Sequence, residues 1–392
     1  MSIKGSASSE KRGLLNYGMV GGGPGAFIGD VHRRANGLEG KSQIVAGSFS
    51  DVEWEIIEMG EQLRIDKDRV YLTYQEMAEK EAVRPDGIDF VSIVTPNFLH
   101  YRIAKEFLEK GISVVCEKPL TVDLDEALDL KKIAAENDCL FAVTYTYTGH
   151  VMAKEAREIV QSGQIGDIRV VVAEYAQDWL IDTLEQEGQR QAAWRTDPKQ
   201  SGKSNCVGDI GSHMENMVSF ITGLKIKKLI ANMDICGVGR TLDNNAEILV
   251  KYDNGASGTY WCSQIAIGCD NALRVRIFGT KGSVEFVQEE SNYLKVTLKD
   301  QPTQIYSRGH GYISEAAGAF SRVPAGHPEG FYEAYANIYG AFADALSAKL
   351  DGEAVDELNV KYPTIDMGIS GVNFVGKCVE SMDKGSVWVD VE

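Results

Sequence analysis

The chain has 392 residues, 44% of them hydrophobic, enough for two domains with a core each at roughly 100–200 residues per domain. Its 57 acidic against 40 basic side chains leave a formal net charge of −17, which argues against non-specific binding to nucleic acid or to an anionic membrane surface. No run approaches the ~20 apolar residues of a membrane span, and neither an H-E-x-x-H pattern nor a clustered ligand set marks a metal site. Residues 1–12 are polar, lack the apolar centre of a signal peptide and read as a flexible arm. The seven cysteines, at 116, 139, 206, 236, 262, 269 and 378, form no CxxC pair and read as buried, reduced thiols of a cytoplasmic protein.

Residues 13–148 alternate apolar runs with amphipathic stretches. The runs are 14–20, 42–48, 88–95, 112–116 and 140–144; between them, 101–110 and 125–137 carry apolar residues at three- and four-residue spacing, the mark of a helix with one buried face. Strands separated by helices of this length make βαβ units and a parallel sheet, an α/β Rossmann domain. Residues 149–392 read differently. A helix near 151–162 is followed by strand-like runs at 168–175, 228–235, 246–252, 258–267, 273–279 and 294–298, with turn signals at Asp253-Asn254-Gly255 and Thr280-Lys281-Gly282. Helices are expected at 210–221 and 329–348. This is an α+β domain with one large, open, mostly antiparallel sheet, suited to substrate binding and oligomerisation. A cofactor would lie between the domains, beyond the carboxyl ends of the parallel strands.

The first apolar run ends in Gly21-Gly22-Gly23-Pro24-Gly25-Ala26-Phe27-Ile28-Gly29. Glycines are needed there so that the chain can turn sharply and present backbone N–H groups to a pyrophosphate without a Cβ in the way. Gly21-x-Gly23-x-x-Ala26 fits the G-x-G-x-x-G/A pattern, and a longer register closing on Gly29 fits as well. Gly21, Gly23, Pro24, Ala26, Phe27 and Ile28 are therefore candidate cofactor contacts. The second run passes into Ser48-Phe49-Ser50-Asp51. Asp51 comes late for the acid that binds adenosine ribose hydroxyls, and no arginine follows to take a 2′-phosphate. The expectation is NAD rather than NADP, with Ser50 at its edge.

Three segments carry chemistry. Thr95-Pro96-Asn97, with His100, closes the third run; Glu117-Lys118-Pro119 closes the fourth; Asp209-x-x-x-His213 opens a helix. Singly each is ordinary, the lysine as a solvated strand end and the Asp/His pair as a helix cap. Together, in this order behind a glycine loop, they resemble the Gfo/Idh/MocA family of sugar and inositol oxidoreductases over nearly the whole chain. The resemblance implies that Lys118, Asp209 and His213 form the catalytic set. It also implies that Thr95, Pro96, Asn97, His100, Glu117, Trp194 and Arg195 lie against the cofactor. A glycoside 3-dehydrogenase and inositol dehydrogenase-like subgroup is similar in Tyr145-Thr146-Tyr147-Thr148-Gly149, Gln177-Asp178-Trp179-Leu180, Trp194-Arg195-Thr196-Asp197-Pro198 and His327-Pro328-Glu329-Gly330. On that likeness Tyr147, Trp179, Arg195 and His327 join Lys118, Asp209 and His213 around a glycoside or polyol.

Oxidising a secondary alcohol removes the O–H proton as hydride leaves carbon. Neutral His213 suits the base, Lys118 can lower the cost of a developing alkoxide, and Asp209, one turn before His213, can hold the ring or a substrate hydroxyl. Lys118 remains a second candidate for proton acceptor. The readings that follow are a dehydrogenase acting on the 3-hydroxyl of a glucoside, with NAD either exchanged or held tightly between turnovers; an inositol dehydrogenase; a glycosidase that uses NAD with no net redox change; and a sensor that has lost its chemistry. The family's habit of pairing its open sheet face implies a homo-oligomer, a dimer, tetramer or higher.

Overall fold

The computed structural model describes residues 13–356 and 359–391; the arm expected at 1–12 lies outside the described residues. The first part of the chain forms β1 (Leu15–Gly21), α1 (Phe27–Glu39), β2 (Ser42–Ser48), α2 (Glu53–Gln62), α3 (Tyr74–Glu81), β3 (Phe90–Val94), α4 (His100–Leu108), β4 (Ser113–Cys116), α5 (Leu124–Glu136) and β5 (Phe141–Val143). Their parallel sheet has the order β2-β1-β3-β4-β5. All five residues of β3 and all four of β4 are buried, because helices cover both faces. Side chains from the loops start the helices: Thr73 accepts from Glu76 N, and Asp123 from Asp125 N at 2.8 Å. The order of winding reverses at β1, with β2 added on one side and β3 on the other, and this opens a crevice at the carboxyl ends of the strands.

The second part forms α6 (Val151–Gln161), β6 (Ile168–Ala176), α7 (Arg190–Arg195), α8 (Pro198–Ser201), α9 (Ser212–Thr222) and β7 (Ile226–Asp234). It continues as β8 (Asn245–Tyr252), β9 (Ser257–Ser263), β10 (Ala272–Gly279), β11 (Gly282–Val287), β12 (Tyr293–Leu298) and β13 (Gln304–Ser307). The chain ends in α10 (Glu315–Gly318), α11 (Phe331–Leu350), α12 (Ile365–Asp383) and β14 (Val389–Asp390). Nine strands pair in the order β13-β12-β11-β10-β6-β9-β8-β7-β14. Every pair is antiparallel except β6 with β9. Inward residues alternate along each strand, as in β8, where Ala246, Ile248, Val250 and Tyr252 are buried.

The sheet is larger than its sequence pattern suggests. β11 turns inward only Val284 and Phe286, too short an alternation to stand out, and β13 buries no side chain fully. The chain also returns to its start. Ile338, Tyr339, Phe342 and Leu346 of α11 pack in one core with Leu15, Tyr17, Phe90 and Ala142. α12 was not expected at all. Ile365 and Val372 join the core of Leu120, Val143 and Tyr145, while Phe374 and Cys378 join the core of the second sheet, so this helix fastens the two halves together. Five cysteines are buried as expected; Cys236 is exposed and Cys269 half-buried, and all seven are free thiols. Among the described residues no helix is long and apolar enough to cross a membrane.

Candidate active site

β1 delivers the chain into a loop where Gly21, Gly22 and Gly25 have φ of 84°, 74° and 75°, the left-handed region open to glycine. A Cβ at Gly21 would meet Thr95 Cγ2 at 2.9 Å, and one at Gly23 would meet Phe49 O at 2.9 Å. The loop therefore lies flush against the ends of β2 and β3. The tightest approach is between loop and helix: a Cβ at Gly29 would stand 2.4 Å from Gly22 Cα. The closing glycine of the pattern is thus Gly29, in the longer register, and Ala26 instead precedes the first turn of α1 with no side-chain cap. The first-turn amides and the buried, unpartnered Thr95 Oγ1 face this loop's end of the sheet. Bare amides and an unpaired hydroxyl beside glycines that tolerate no Cβ fit a dinucleotide pyrophosphate.

Glu117, at the end of β4, is a buried anchor. Its Oε1 accepts from His32 Nε2 at 2.8 Å, Thr144 Oγ1 at 2.6 Å and Tyr335 OH at 2.9 Å, and its Oε2 from Lys118 N at 3.2 Å. Burial opposes its charge, but the bond to His32, the nearby positive charges and Thr144 outweigh burial and bring its pKa down to about 2. One carboxylate so ties α1, β5 and α11 to the residue before Lys118. His100 makes a second tie, with ring nitrogens 2.9 Å from Pro119 O and 2.9 Å from Thr95 O. It clamps the segment of Thr95, Pro96 and Asn97 to the segment of Glu117, Lys118 and Pro119. Glu117 and His100, expected against the cofactor, brace these two loops.

Lys118 Nζ donates to Asp209 Oδ1 at 2.8 Å and to Asp209 O at 3.0 Å. Asp209 stands on a π-helical turn, Val207–Gly211, that runs straight into α9. Asp243 caps that turn, accepting from Asn205 N at 2.8 Å and Val207 N at 2.9 Å. The Asp209 carboxylate also receives Arg195 Nε at 3.2 Å and Gln264 Nε2 at 3.0 Å on Oδ2. Burial works against its charge, yet Arg195 and Lys118 hold its pKa well below the carboxylate range. Its oxygens bond Lys118, Arg195 and Gln264, and no hydrogen bond joins it to the His213 ring.

His213 sits among tyrosines, its ring 4.7 Å from that of Tyr147, 5.6 Å from Tyr145 and 6.1 Å from Tyr175. It is 7% exposed and makes no hydrogen bond with any described residue. Burial, reinforced by the Lys118 charge, lowers its pKa to about 3, so the ring is neutral at neutral pH. The tyrosines are held by a network absent from the sequence reading. Tyr147 OH and Tyr175 OH lie 2.6 Å apart, and Asn271 bonds both, donating to Tyr147 OH at 3.1 Å and accepting from Tyr175 OH at 2.6 Å. Gln177 extends it, donating to Asn271 at 2.8 Å and accepting from Trp179 Nε1 at 3.0 Å.

Tyr147, Arg195, Trp179 and Trp194 thus gather with Lys118, Asp209 and His213, the Arg195 guanidinium lying 4.2 Å over Trp194 and 5.8 Å from Trp179. Phe27, mostly exposed, stacks on Phe331 at 6.5 Å, and Phe331 lies 6.5 Å from Tyr147, linking the glycine loop to this cluster. Ile28 is half-buried against α11. Pro24 and Ser50 lie at the loop and at the strand end beside it. His327 is not brought to the cluster; it is exposed, on a loop anchored by Arg308, which pairs with Glu329 at 2.9 Å. Gln264, Asn271 and Tyr335 escaped the sequence reading, since nothing in residue type or spacing marks them.

Residues 15–145 match the oxidoreductase family with an NAD-binding Rossmann fold, and residues 153–285 match the GFO/IDH/MocA C-terminal domain. The uncharacterized oxidoreductase YfiI of Bacillus subtilis is 38% identical over 383 residues, 96% of each chain. An inositol dehydrogenase homolog from Azotobacter vinelandii, solved with NAD+, superposes with a TM-score of 0.93 at 38% identity, covering 98% of this chain and 99% of that one. An inositol dehydrogenase homolog from the same organism, solved with NADH and myo-inositol, superposes with a TM-score of 0.91 at 37% identity, covering 96% of this chain and 98% of that one. Levoglucosan dehydrogenase of Pseudarthrobacter phenanthrenivorans is 24% identical over 392 residues, 90% of this chain and 98% of its own. The chain belongs to the Gfo/Idh/MocA family of oxidoreductases, and residues 15–145 are its NAD-binding Rossmann fold.

Proposed function

We propose that this oxidoreductase removes hydride from a ring carbon that bears a secondary hydroxyl, on a polyhydroxylated six-membered ring, a sugar or polyol. The observation that carries this is the pairing of Lys118 with Asp209 beside a buried, neutral His213 that has no hydrogen-bond partner among the described residues. Bound NAD supplies the hydride acceptor. Lys118 Nζ, oriented by Asp209, donates to the reacting oxygen and stabilises its developing negative charge. His213 takes the hydroxyl proton. Arg195, Trp179 and Tyr147 orient the ring, the aromatics against its C–H faces and the guanidinium toward its hydroxyls. Around Tyr147 the buried tyrosines exclude water.

Within that class our first reading is the 3-hydroxyl of an O- or C-glucoside, oxidised to the 3-keto form. A second reading, inositol, is favoured by the Azotobacter vinelandii homolog solved with myo-inositol. The test is a panel of glucosides and inositols with excess NAD, followed by NADH absorbance and by sugar release. Growth of NADH with one substrate identifies it; sugar release without NADH would establish instead a glycosidase that recycles NAD. His213→Ala and Lys118→Ala should each lower kcat by about 10²–10⁴-fold, and near wild-type turnover in both would defeat the assignment. We further propose a homo-oligomer formed through the open face of the second sheet, where Val170, Leu249, Phe278, Tyr293 and Ile305 are exposed. Light scattering at micromolar concentration should give a dimer or higher, and a monomer would count against it.

A further inference from the structure

In doubly wound folds the adenosine ribose lies beside the end of the second strand, where an acidic side chain binds its hydroxyls. Here β2 ends at Ser48, and Asp51 is exposed and late. The next helix supplies a carboxylate. Ser50 Oγ donates to Glu55 Oε2 at 2.5 Å and accepts from Val52 N at 3.2 Å. That mount touches the glycine loop, because a Cβ at Gly23 would lie 2.9 Å from Phe49 O and 3.5 Å from Ser50 Cβ. Glu55 is half-buried, and its Oε1 carries no bond to a described residue.

The surrounding charge favours the same ligand. Residues 48–63 contain five carboxylates, Asp51, Glu53, Glu55, Glu58 and Glu61, and no lysine or arginine. The N-terminus of α2 would attract an anion, but Glu53 and Glu55 already place negative charge in its first turn. The nearest arginines of α1 are engaged, Arg33 with Gly22 O at 2.8 Å and Arg34 with Asp30 at 2.6 Å. A carboxylate accepts hydrogen bonds from ribose hydroxyls, whereas the 2′-phosphate of NADP carries roughly two negative charges and is repelled.

We propose that Glu55, held by Ser50, binds the adenosine ribose hydroxyls and sets the preference for NAD over NADP. This rests on the dinucleotide reading of the glycine loop. The test is calorimetric titration of NAD+ and NADP+ into the purified wild type, Glu55→Gln, Ser50→Ala and, as a control, Glu79→Gln on the exposed face of α3. Glu55→Gln should weaken NAD+ about tenfold, the loss of one charge-assisted hydrogen bond, and strengthen NADP+, so that the ratio of the two dissociation constants falls at least tenfold. Ser50→Ala, which releases the carboxylate without removing it, should weaken NAD+ with a smaller fall in the ratio, and gives the answer if Glu55→Gln folds poorly. Glu79→Gln should change neither constant. A wild-type ratio in both Glu55→Gln and Ser50→Ala, or a wild type that prefers NADP+, overturns the proposal. A wild type that binds neither dinucleotide overturns the functional reading itself.

Discussion

A histidine with an ordinary pKa near 6.5 would protonate as the pH falls through the range where most enzymes are assayed. Burial and the Lys118 charge put His213 at about 3. Asp209, bound by Lys118, Arg195 and Gln264, stays charged at any such pH. Since kcat/KM reports ionisations of the free enzyme, its acid limb should show no inflection near 6.5 and should hold down to about pH 4–5. A limb at 6–7 that disappears in a His213 variant would show the ring to be an ordinary, solvated imidazole. Lys118, Asp209 and His213 were legible because residue type and order behind a glycine loop complete a family pattern, and Arg195 and Tyr147 only through the likeness of their segments to a subgroup of that family. Gln264 and Asn271 were not: a glutamine and an asparagine acquire meaning only when β9 and β10 bring them beside residues 55 and 124 positions earlier in the chain.

The strands of the first sheet could be read because each is an apolar run covered on both faces. α12 could not, for a physical reason. It carries Gly368, Gly371 and Gly376, and glycine is a poor helix former. The first two sit where the helix meets the core: a Cβ at Gly368 would stand 2.9 Å from Leu120 and Val143, and one at Gly371 would stand 2.2 Å from Tyr145 OH. Close packing, not propensity, decides this helix. Gly371→Ala should therefore destabilise the protein by about 1–3 kcal/mol despite the better helix former, because Tyr145 is fully buried and has no room to yield. Tyr145 also touches His213 edge-on, so the same change should lower kcat. Urea unfolding and steady-state kinetics on one variant check both; an unchanged or raised stability would mean that α12 packs more loosely than these distances require. Gly29 belongs with these positions: the sequence left its register open, and contact with Gly22 decided it.

At the scale of the whole molecule, two domains could be read from the change of pattern near residue 149, but not the return of α11 and α12, since a sequence pattern shows which face is apolar and not what covers it. That return buries ionisable groups whose titration couples to folding. His213 and His150 are held neutral, down to about 3 and about 4, chiefly by burial. The unfolded chain binds protons at both near pH 6.5 and the folded chain does not, so stability falls as pH drops from about 6.5 toward 4. Glu215, raised to about 7 by burial against its bond to Ser370, acts oppositely: the folded chain holds its proton between about 4.5 and 7, and stability rises as pH falls there. Glu117, lowered to about 2, adds a loss only below about 4.5. His100, also lowered by burial, adds to them, so three histidines oppose one glutamate as the pH falls below about 6.5, and the net slope is a loss on acidification. His150 isolates the effect. It stacks on Tyr147 at 9° between planes and its Nε2 has no partner, so a phenyl ring can take its place without breaking a bond there. His150→Phe should flatten the fall in unfolding free energy between about pH 7 and pH 5, measured by urea titration at each pH. If the variant loses as much stability as the wild type over that interval, the histidine is not held neutral and the acid sensitivity lies in the carboxylates.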